Sequence, residues 1–349
     1  MQNAAISRRT FGSMLAAGAV ALAAPGARAE SQLEKSSVTI AVGGKASFYY
    51  LPLTLAEQLG YFNAEGLDVA ITDFASGARA LQAVVGGSAD VVSGAYEHTI
   101  NLQDKGQFFQ GFVLQGRAPQ IAMGVSTKTM AGYNSEADLR GKRIGVTAPG
   151  SPTALMAKLV LARAGLKASD VNFIDVGAAA AGALSALRSG QIDAISNTDP
   201  AMTMLEQKGE VRIIADARTL RGTLEVFGGP MPAACLYAPL DFLRKTPNTV
   251  QALTNAIVHA LKWLQTAGPS DIIKTMPESY LLGDRGLYLA TFNKVRESIA
   301  LDGLFPDDGG KTALRALHIV DSTINADKID LSKTFTNQFA RKAKDRFKA

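Results

Sequence analysis

Ala80-Leu81-Gln82-Ala83, followed by Gly87-Ser88-Ala89-Asp90-Val91-Val92-Ser93, returns 103 residues later as Ala183-Leu184-Ser185-Ala186 and Gly190-Gln191-Ile192-Asp193-Ala194-Ile195-Ser196. Ala80, Leu81, Ala83, Gly87, Asp90 and Ser93 all fall on identical residues. Each copy reads as the end of a helix, a Gly-x-x-Asp turn and a strand. Glycine closes the helix in a left-handed conformation and aspartate opens the strand, so the turns themselves are structural. A supersecondary unit that recurs at a fixed offset implies two similar lobes.

Working outward from this repeat, short β-branched runs alternate with helical patterns bounded by Gly, Asn or Asp. Strands are expected at 38–42, 67–74 and 90–93, with helices at 52–59 and 78–85 between them. That alternation is the signature of α/β lobes, each a mostly parallel sheet flanked by helices. The second lobe is expected after a strand at 121–126, continuing through 143–147 and a helix after Ser151 to a strand near 211–217. A Gly-rich passage from Gly222 to Pro230 then leads back to a strand at 233–237 and to helices with no strands between them. One of these, 250–264, carries Leu253, Ile257, Leu261 and Leu264 on a single stripe. The boundaries read as 37–123 plus 223–349 for lobe 1 and 124–222 for lobe 2, with motion centred near Val125 and Gly222.

The 349 residues suffice for two lobes that each bury a core. At the front, Ser7-Arg8-Arg9-Thr10-Phe11, a short Gly/Ala-rich apolar run and Ala27-Arg28-Ala29 read as a twin-arginine signal peptide over 1–29, too short in its apolar part to span a bilayer. The mature chain is expected to begin at Glu30 and to reside in the periplasm. Losing Arg8, Arg9 and Arg28 lowers 36 Lys and Arg to 33 against 31 acids, a net charge of +2. So nearly neutral a chain carries no electrostatic footprint for nucleic acid. Cys235 is the only cysteine, which excludes an intramolecular disulfide and a thiolate metal cluster.

Three further stretches carry a family resemblance. They are Pro52 through Phe62 with Glu65-Gly66-Leu67-Asp68-Val69; Asp138-Leu139-Arg140-Gly141-Lys142-Arg143-Ile144-Gly145-Val146; and Ala183 through Asp193. Together they resemble the substrate-binding proteins of the nitrate, sulfonate, taurine and thiamine-precursor ABC importers. The resemblance implies a type II periplasmic binding fold with a two-stranded hinge, closure on a small-molecule solute, and delivery to an ABC permease and its ATPase. It also implies a monomer without a cofactor.

In open parallel sheets, ligands lie beyond the carboxyl ends of the strands, and candidate site residues are sought there. Ser151 and Thr153 lie in Pro149-Gly150-Ser151-Pro152-Thr153, where Ser151 caps a helix whose first position is Pro152. Such a helix start presents donors to an anion, although Ser151 can equally serve its own helix alone. Gly77 and Ala78 begin a helix after a strand of the first lobe. Lys45 and Ser47, with Phe48 beside them, offer a charge, a hydroxyl and an aromatic wall; a solvated lysine is the ordinary alternative. Glu97 and Asp199 sit near equivalent strand ends, so closure can bring two carboxylates to one solute with N–H donors, while Asp199 before Pro200 also suits a helix cap. Tyr96 is a stacking candidate, Arg117 a bidentate clamp for an acid, and Asn197 a donor or acceptor. The expected solute is a sulfonate, a carboxylate or a nitrogen heterocycle.

Enzymatic motifs are sparse. Gly-x-Ser-x-Gly and Gly-x-Gly-x-x-Gly are absent, and His98, His259 and His318 have no metal spacing. Gly310-Lys311-Thr312 resembles the end of a phosphate loop, but Phe305 replaces its first glycine. His98 beside Glu97 is the best candidate for acid or base chemistry. A ligand sensor that docks on a membrane receptor uses the same fold, and an enzyme of the thiamine-precursor type is the remaining alternative.

Overall fold

The computed structural model describes residues 32–281 and 283–349. The expected signal peptide lies outside the described residues. From the N-terminus the elements are β1 (Ser37–Gly43), α1 (Leu51–Gln58), α2 (Tyr61–Ala64), β2 (Asp68–Phe74), α3 (Gly77–Val85), β3 (Val91–Ala95), α4 (Glu97–Asp104), β4 (Phe109–Leu114) and β5 (Ile121–Ser126). They continue with β6 (Arg143–Val146), α5 (Pro152–Arg163), β7 (Asn172–Asp175), α6 (Ala180–Arg188), β8 (Ala194–Thr198), α7 (Ala201–Gln207), β9 (Val211–Asp216), α8 (Leu220–Phe227) and β10 (Ala234–Pro239). The C-terminal part is helical: α9 (Leu240–Lys245), α10 (Pro247–Thr266), α11 (Pro269–Thr275), α12 (Arg285–Val295), α13 (Gly309–Val320) and α14 (Gln338–Phe347).

Two five-stranded sheets form, with orders β2-β1-β3-β10-β4 and β7-β6-β8-β5-β9. In each, four strands share one direction and the fifth, β10 or β5, runs against both its neighbours. Burial follows position. The inner strands β3 and β5 are apolar or small and wholly buried, as expected for strands covered on both faces. The edge strands β2 and β7 carry Asp68, Thr72, Asp73, Asn172 and Asp175. The buried stripe of α10 includes Leu253, Ile257, Leu261 and Leu264, and the helix packs against α1 and α14 on the first sheet's side.

The internal repeat is an equivalence in three dimensions. Gly87 and Gly190 both have φ of 77°, a conformation that glycine adopts without a Cβ clash. After each, an aspartate carboxylate accepts a backbone N–H from the neighbouring parallel strand, β1 or β6: Asp90 from Thr39 at 2.9 Å and Asp193 from Arg143 at 3.1 Å. The aspartates' own N–H groups donate back to the Thr39 and Arg143 carbonyls. Each turn thus fastens its strand to the adjacent one.

The chain crosses between the sheets twice, side by side. Gln120 donates to the Ala217 carbonyl and Ala217 to that of Ile121 at one end, while Gly116 and Ala233 exchange bonds with residues of the opposite crossing at the other. The first crossing is therefore residues 115–120, and the boundary expected at 124 moves forward. All of β5, Val125 included, is an interior strand of the second sheet, pairing with β8 and β9, and cannot serve as the pivot. The return covers residues 217–233 and contains α8, in which Gly222 lies. No helix among the described residues is long and apolar enough to cross a membrane.

Candidate functional site

The carboxyl ends of β1, β2 and β3 in one lobe face those of β6, β7 and β8 in the other, and the cleft between them is shut. The Ser47 Oγ, just after β1, lies 2.9 Å from Thr198 Oγ1 and 3.1 Å from the Asp199 carbonyl oxygen. Phe48 donates its N–H to that same carbonyl, and Ala178 donates to the carbonyl of Ala75 at 2.8 Å. Arg79 and Asp175 pair at 3.3 Å near the rim.

Two small cavities remain in the interface among the described residues. One, about 20 Å³, is walled by Ser47, Tyr49, Tyr50 and Gly77 from the first lobe and Thr153 and Thr198 from the second. The other, about 10 Å³, lies toward the crossings among Tyr49, Glu97, Pro119, Pro152, Phe227 and Met231. Tyr49 and Pro152 belong to both, so together they form one interrupted pocket.

Its chemistry centres on Glu97 at the start of α4. The side chain is buried and its Oε1 has no hydrogen-bond partner among the described residues. Burial pushes its carboxyl up to about 7, with only its own backbone N–H acting in the opposite direction. Beside it, burial pushes the His98 imidazole down to about 4, offset in part by the nearby Gly150 backbone. His98 Nδ1 lies 2.9 Å from the Tyr237 hydroxyl. The buried Tyr49 hydroxyl is also without a hydrogen-bond partner. Burial and then the charge of Glu97 hold its phenol far above the ordinary tyrosine range. Among the described residues, no arginine or lysine lines either cavity. The starts of α3, capped by Ser76, and α5, capped by Ser151 with Pro152 in its first turn, bring backbone donors and the positive ends of their dipoles to the cleft.

The expected site residues divide accordingly. Ser47, Gly77, Glu97 and Thr153 wall the two cavities, and Ala78 and Ser151 line a groove that continues from Glu97. Ser151 accepts from Ala154 N and is also bonded to Thr153, whose Oγ1 accepts from Thr147 N, so the loop's hydroxyls are largely engaged in holding α5.

The others go elsewhere. Lys45 is paired with Glu57 on α1. Tyr96 is fully buried inside the first lobe, its hydroxyl 2.6 Å from Thr334 and its ring against Phe305 and Phe335, so it cannot stack on a solute. Arg117 lies in the crossing and donates to the Glu297 carbonyl at 2.8 Å. Asn197 is buried one residue short of the cavity wall, its Oδ1 accepting from Thr198 N. The Asp199 carboxylate accepts from Thr203 N and faces the buried Arg218 guanidinium at 3.6 Å, which leaves the cap role and removes the paired-carboxylate arrangement with Glu97. Phe48 packs on Tyr288 rather than forming the wall. The aromatic wall is Tyr49 and Tyr50, whose signal was the run Phe48-Tyr49-Tyr50 directly after the first strand.

Two mixed sheets joined by paired crossings, closing on a cleft at their strand ends, define a type II periplasmic binding fold. The chain belongs to the NMT1/THI5-like family, which it matches over residues 47–269. A solved structure from Bordetella bronchiseptica RB50 is similar at 58% identity and a TM-score of 0.89, covering 91% of this chain and 100% of that one. The alkanesulfonate-binding protein SsuA from Xanthomonas axonopodis pv. citri, bound to MOPS, shares the fold at 19% identity and a TM-score of 0.68, over 88% of this chain and 100% of that one. The 4-amino-5-hydroxymethyl-2-methylpyrimidine phosphate synthase of Schizosaccharomyces pombe is 26% identical over 231 residues, 64% of each chain.

Proposed function

We propose that this protein is the exported solute-binding component of an ABC importer, and that its solute is an uncharged or weakly basic nitrogen compound rather than a sulfonate or carboxylate. One observation carries the choice of solute: a buried carboxyl and a phenol wall the small cavities, with the His98 imidazole beside them, and among the described residues no cationic side chain lines those cavities. A buried anion needs charge-assisted donors, whereas ring or amino N–H groups answer an unpartnered carboxyl. Solute binds the open form, the second lobe closes over it, and the permease recognises the closed form as a monomer in the periplasm. Only a solute with higher affinity for the closed state can drive that shift.

The test is calorimetric titration of the chain from Glu30 onward, denatured and refolded to strip carried-over solute, against alkanesulfonates, carboxylates, pyrimidines and amines. Binding confined to the nitrogen compounds, and weakened at least tenfold by Glu97→Gln, is the expected result. A tight sulfonate complex indifferent to that substitution would sink the assignment. The pyrimidine phosphate synthase relative, together with His98 beside the cleft, favours a second reading as an enzyme of that type. It requires turnover of a bound pyrimidine that His98→Gln abolishes.

A further inference from the structure

Beyond Glu97 lies a groove of about 580 Å³, against about 20 Å³ and 10 Å³ for the two small cavities. Glu97 and His98 form its inner end. Its walls come from α3, α4 and α13 of the first lobe and from α5 of the second, where Leu81, Val85, Leu102, Leu155, Leu317 and Val320 form an apolar strip beside Gln82, Asn101 and Gln107. Val85 and Ile319, next to Val320, are two of the exposed large apolar side chains of the molecule. The outer end carries Lys105 and Lys158 together with Asp104 and Asp321, a balanced set that selects no net charge.

We infer that this groove is a second subsite for the same solute, taking an apolar alkyl or aryl arm whose nitrogen-bearing head sits at Glu97. The inference rests on the proposed function for the head. Continuity through Glu97 links the two subsites, and the volume matches what small-molecule pockets require, which the two small cavities do not. The unpartnered Glu97 Oε1 gives the inner end an acceptor, while the walls beyond it offer an apolar strip bordered by polar side chains. Because α5 belongs to one lobe and α3, α4 and α13 to the other, an arm in the groove touches both lobes and adds to the preference for the closed form.

The experiment titrates N-alkylureas, from methyl to hexyl, into the refolded chain from Glu30. Affinity should rise about fourfold per methylene, the equivalent of ~0.8 kcal/mol for each buried CH₂. Gln82→Trp, a change at an exposed residue of the groove wall, should flatten that dependence and leave the methyl compounds unaffected; Val85→Asp is a second variant with the same expectation. Methyl compounds that bind through Glu97 with no gain from longer chains would overturn the second subsite and leave the proposed function standing. A chain-length gain that survives both groove variants would overturn it too, since the arm would then lie elsewhere. Failure of every compound, with Glu97→Gln indistinguishable from the parent, would remove the head assignment and this inference with it.

Discussion

Ser47 and Thr198 lie on opposite lobes, yet their hydroxyl oxygens are 2.9 Å apart. This pair, with the Asp199 carbonyl that receives Phe48 N–H, belongs to the shut cleft alone, because opening must separate the lobes. Ser47→Ala should therefore shift the population toward the open form. One hydrogen bond is worth about 1 kcal/mol, or about fivefold in affinity for the solute. Small-angle scattering on the solute-free protein should give a larger radius of gyration than the parent. An unchanged radius and affinity would mean that closure does not depend on this contact.

Glu97 and His98 make opposite contributions to the pH dependence of stability. Glu97 is pushed up to about 7 from an ordinary 4.5, so the folded chain binds the extra proton; its stabilising contribution is present at low pH and is lost as the pH rises through about 7. His98 is pushed down to about 4 from 6.5; its contribution is present above 6.5 and is lost as the pH falls through about 4. Between about 4.5 and 6.5 the two slopes oppose each other and the parent should change little. Glu97→Gln should gain in Tm over the parent at pH 8 relative to pH 5, and His98→Gln should gain at pH 5 relative to pH 8. Variants that track the parent at both values would contradict the burial of these two groups.

Arg218 is the largest fully buried side chain among the described residues, and three carboxylates surround it: Asp216 at 2.6 Å, Glu206 at 3.0 Å and Asp199 at 3.6 Å. Its carbonyl accepts the Ser298 hydroxyl from the C-terminal part of the chain, and Glu206 also holds Lys294. Removing the guanidinium leaves the fully buried Asp199 carboxylate uncompensated. Arg218→Met should cost about 3–5 kcal/mol in urea unfolding. Adding Asp199→Asn should recover part of that loss, and a double variant no better than the single one would argue against the pairing.

Gly43 ends β1 where the backbone of Ser76 and Gly77 crosses it. A Cβ there would fall 2.1 Å from Gly77 N and from the Ser76 carbonyl carbon, both backbone atoms that cannot turn aside. Gly43→Ala should destabilise the fold by about 3 kcal/mol or more and displace the start of α3 at the cleft. Gly132→Ala, with nothing within 4 Å, is the control and should be nearly neutral.

Local chemistry made much of the fold legible. The alternation of β-branched runs and helices, the Gly87 and Gly190 turns and the aspartates after them needed only period and turn rules, and the two lobes followed from the repeat. The pivot was misplaced because a strand that has just crossed into a new sheet is as apolar as one that has not; nothing in Ile121–Ser126 says which sheet it joins. Glu97 was readable from its place after β3. Tyr96 and Asp199 satisfied the same rule, yet their partners Thr334 and Arg218 come from distant sequence and draw them into the interior; Arg117 does lie at the crossing between the lobes, where the distant Glu297 carbonyl engages it. Asp199 could still be read as a cap, since its partner Thr203 is local.

The position of β10 between β3 and β4 also bears on how the chain reaches this state during synthesis. Until β10 leaves the ribosome, β4 has no neighbour in its sheet, and the β2-β1-β3 fragment exposes an inner strand's unpaired edge. About 120 residues separate the end of β4 from β10, which at ~5–20 residues per second is a wait of roughly 6–24 s. All five strands of the second sheet are made within that interval. The later-made lobe can therefore close first, and the nascent chain spends those seconds with an aggregation-prone template that a holdase chaperone would have to cover.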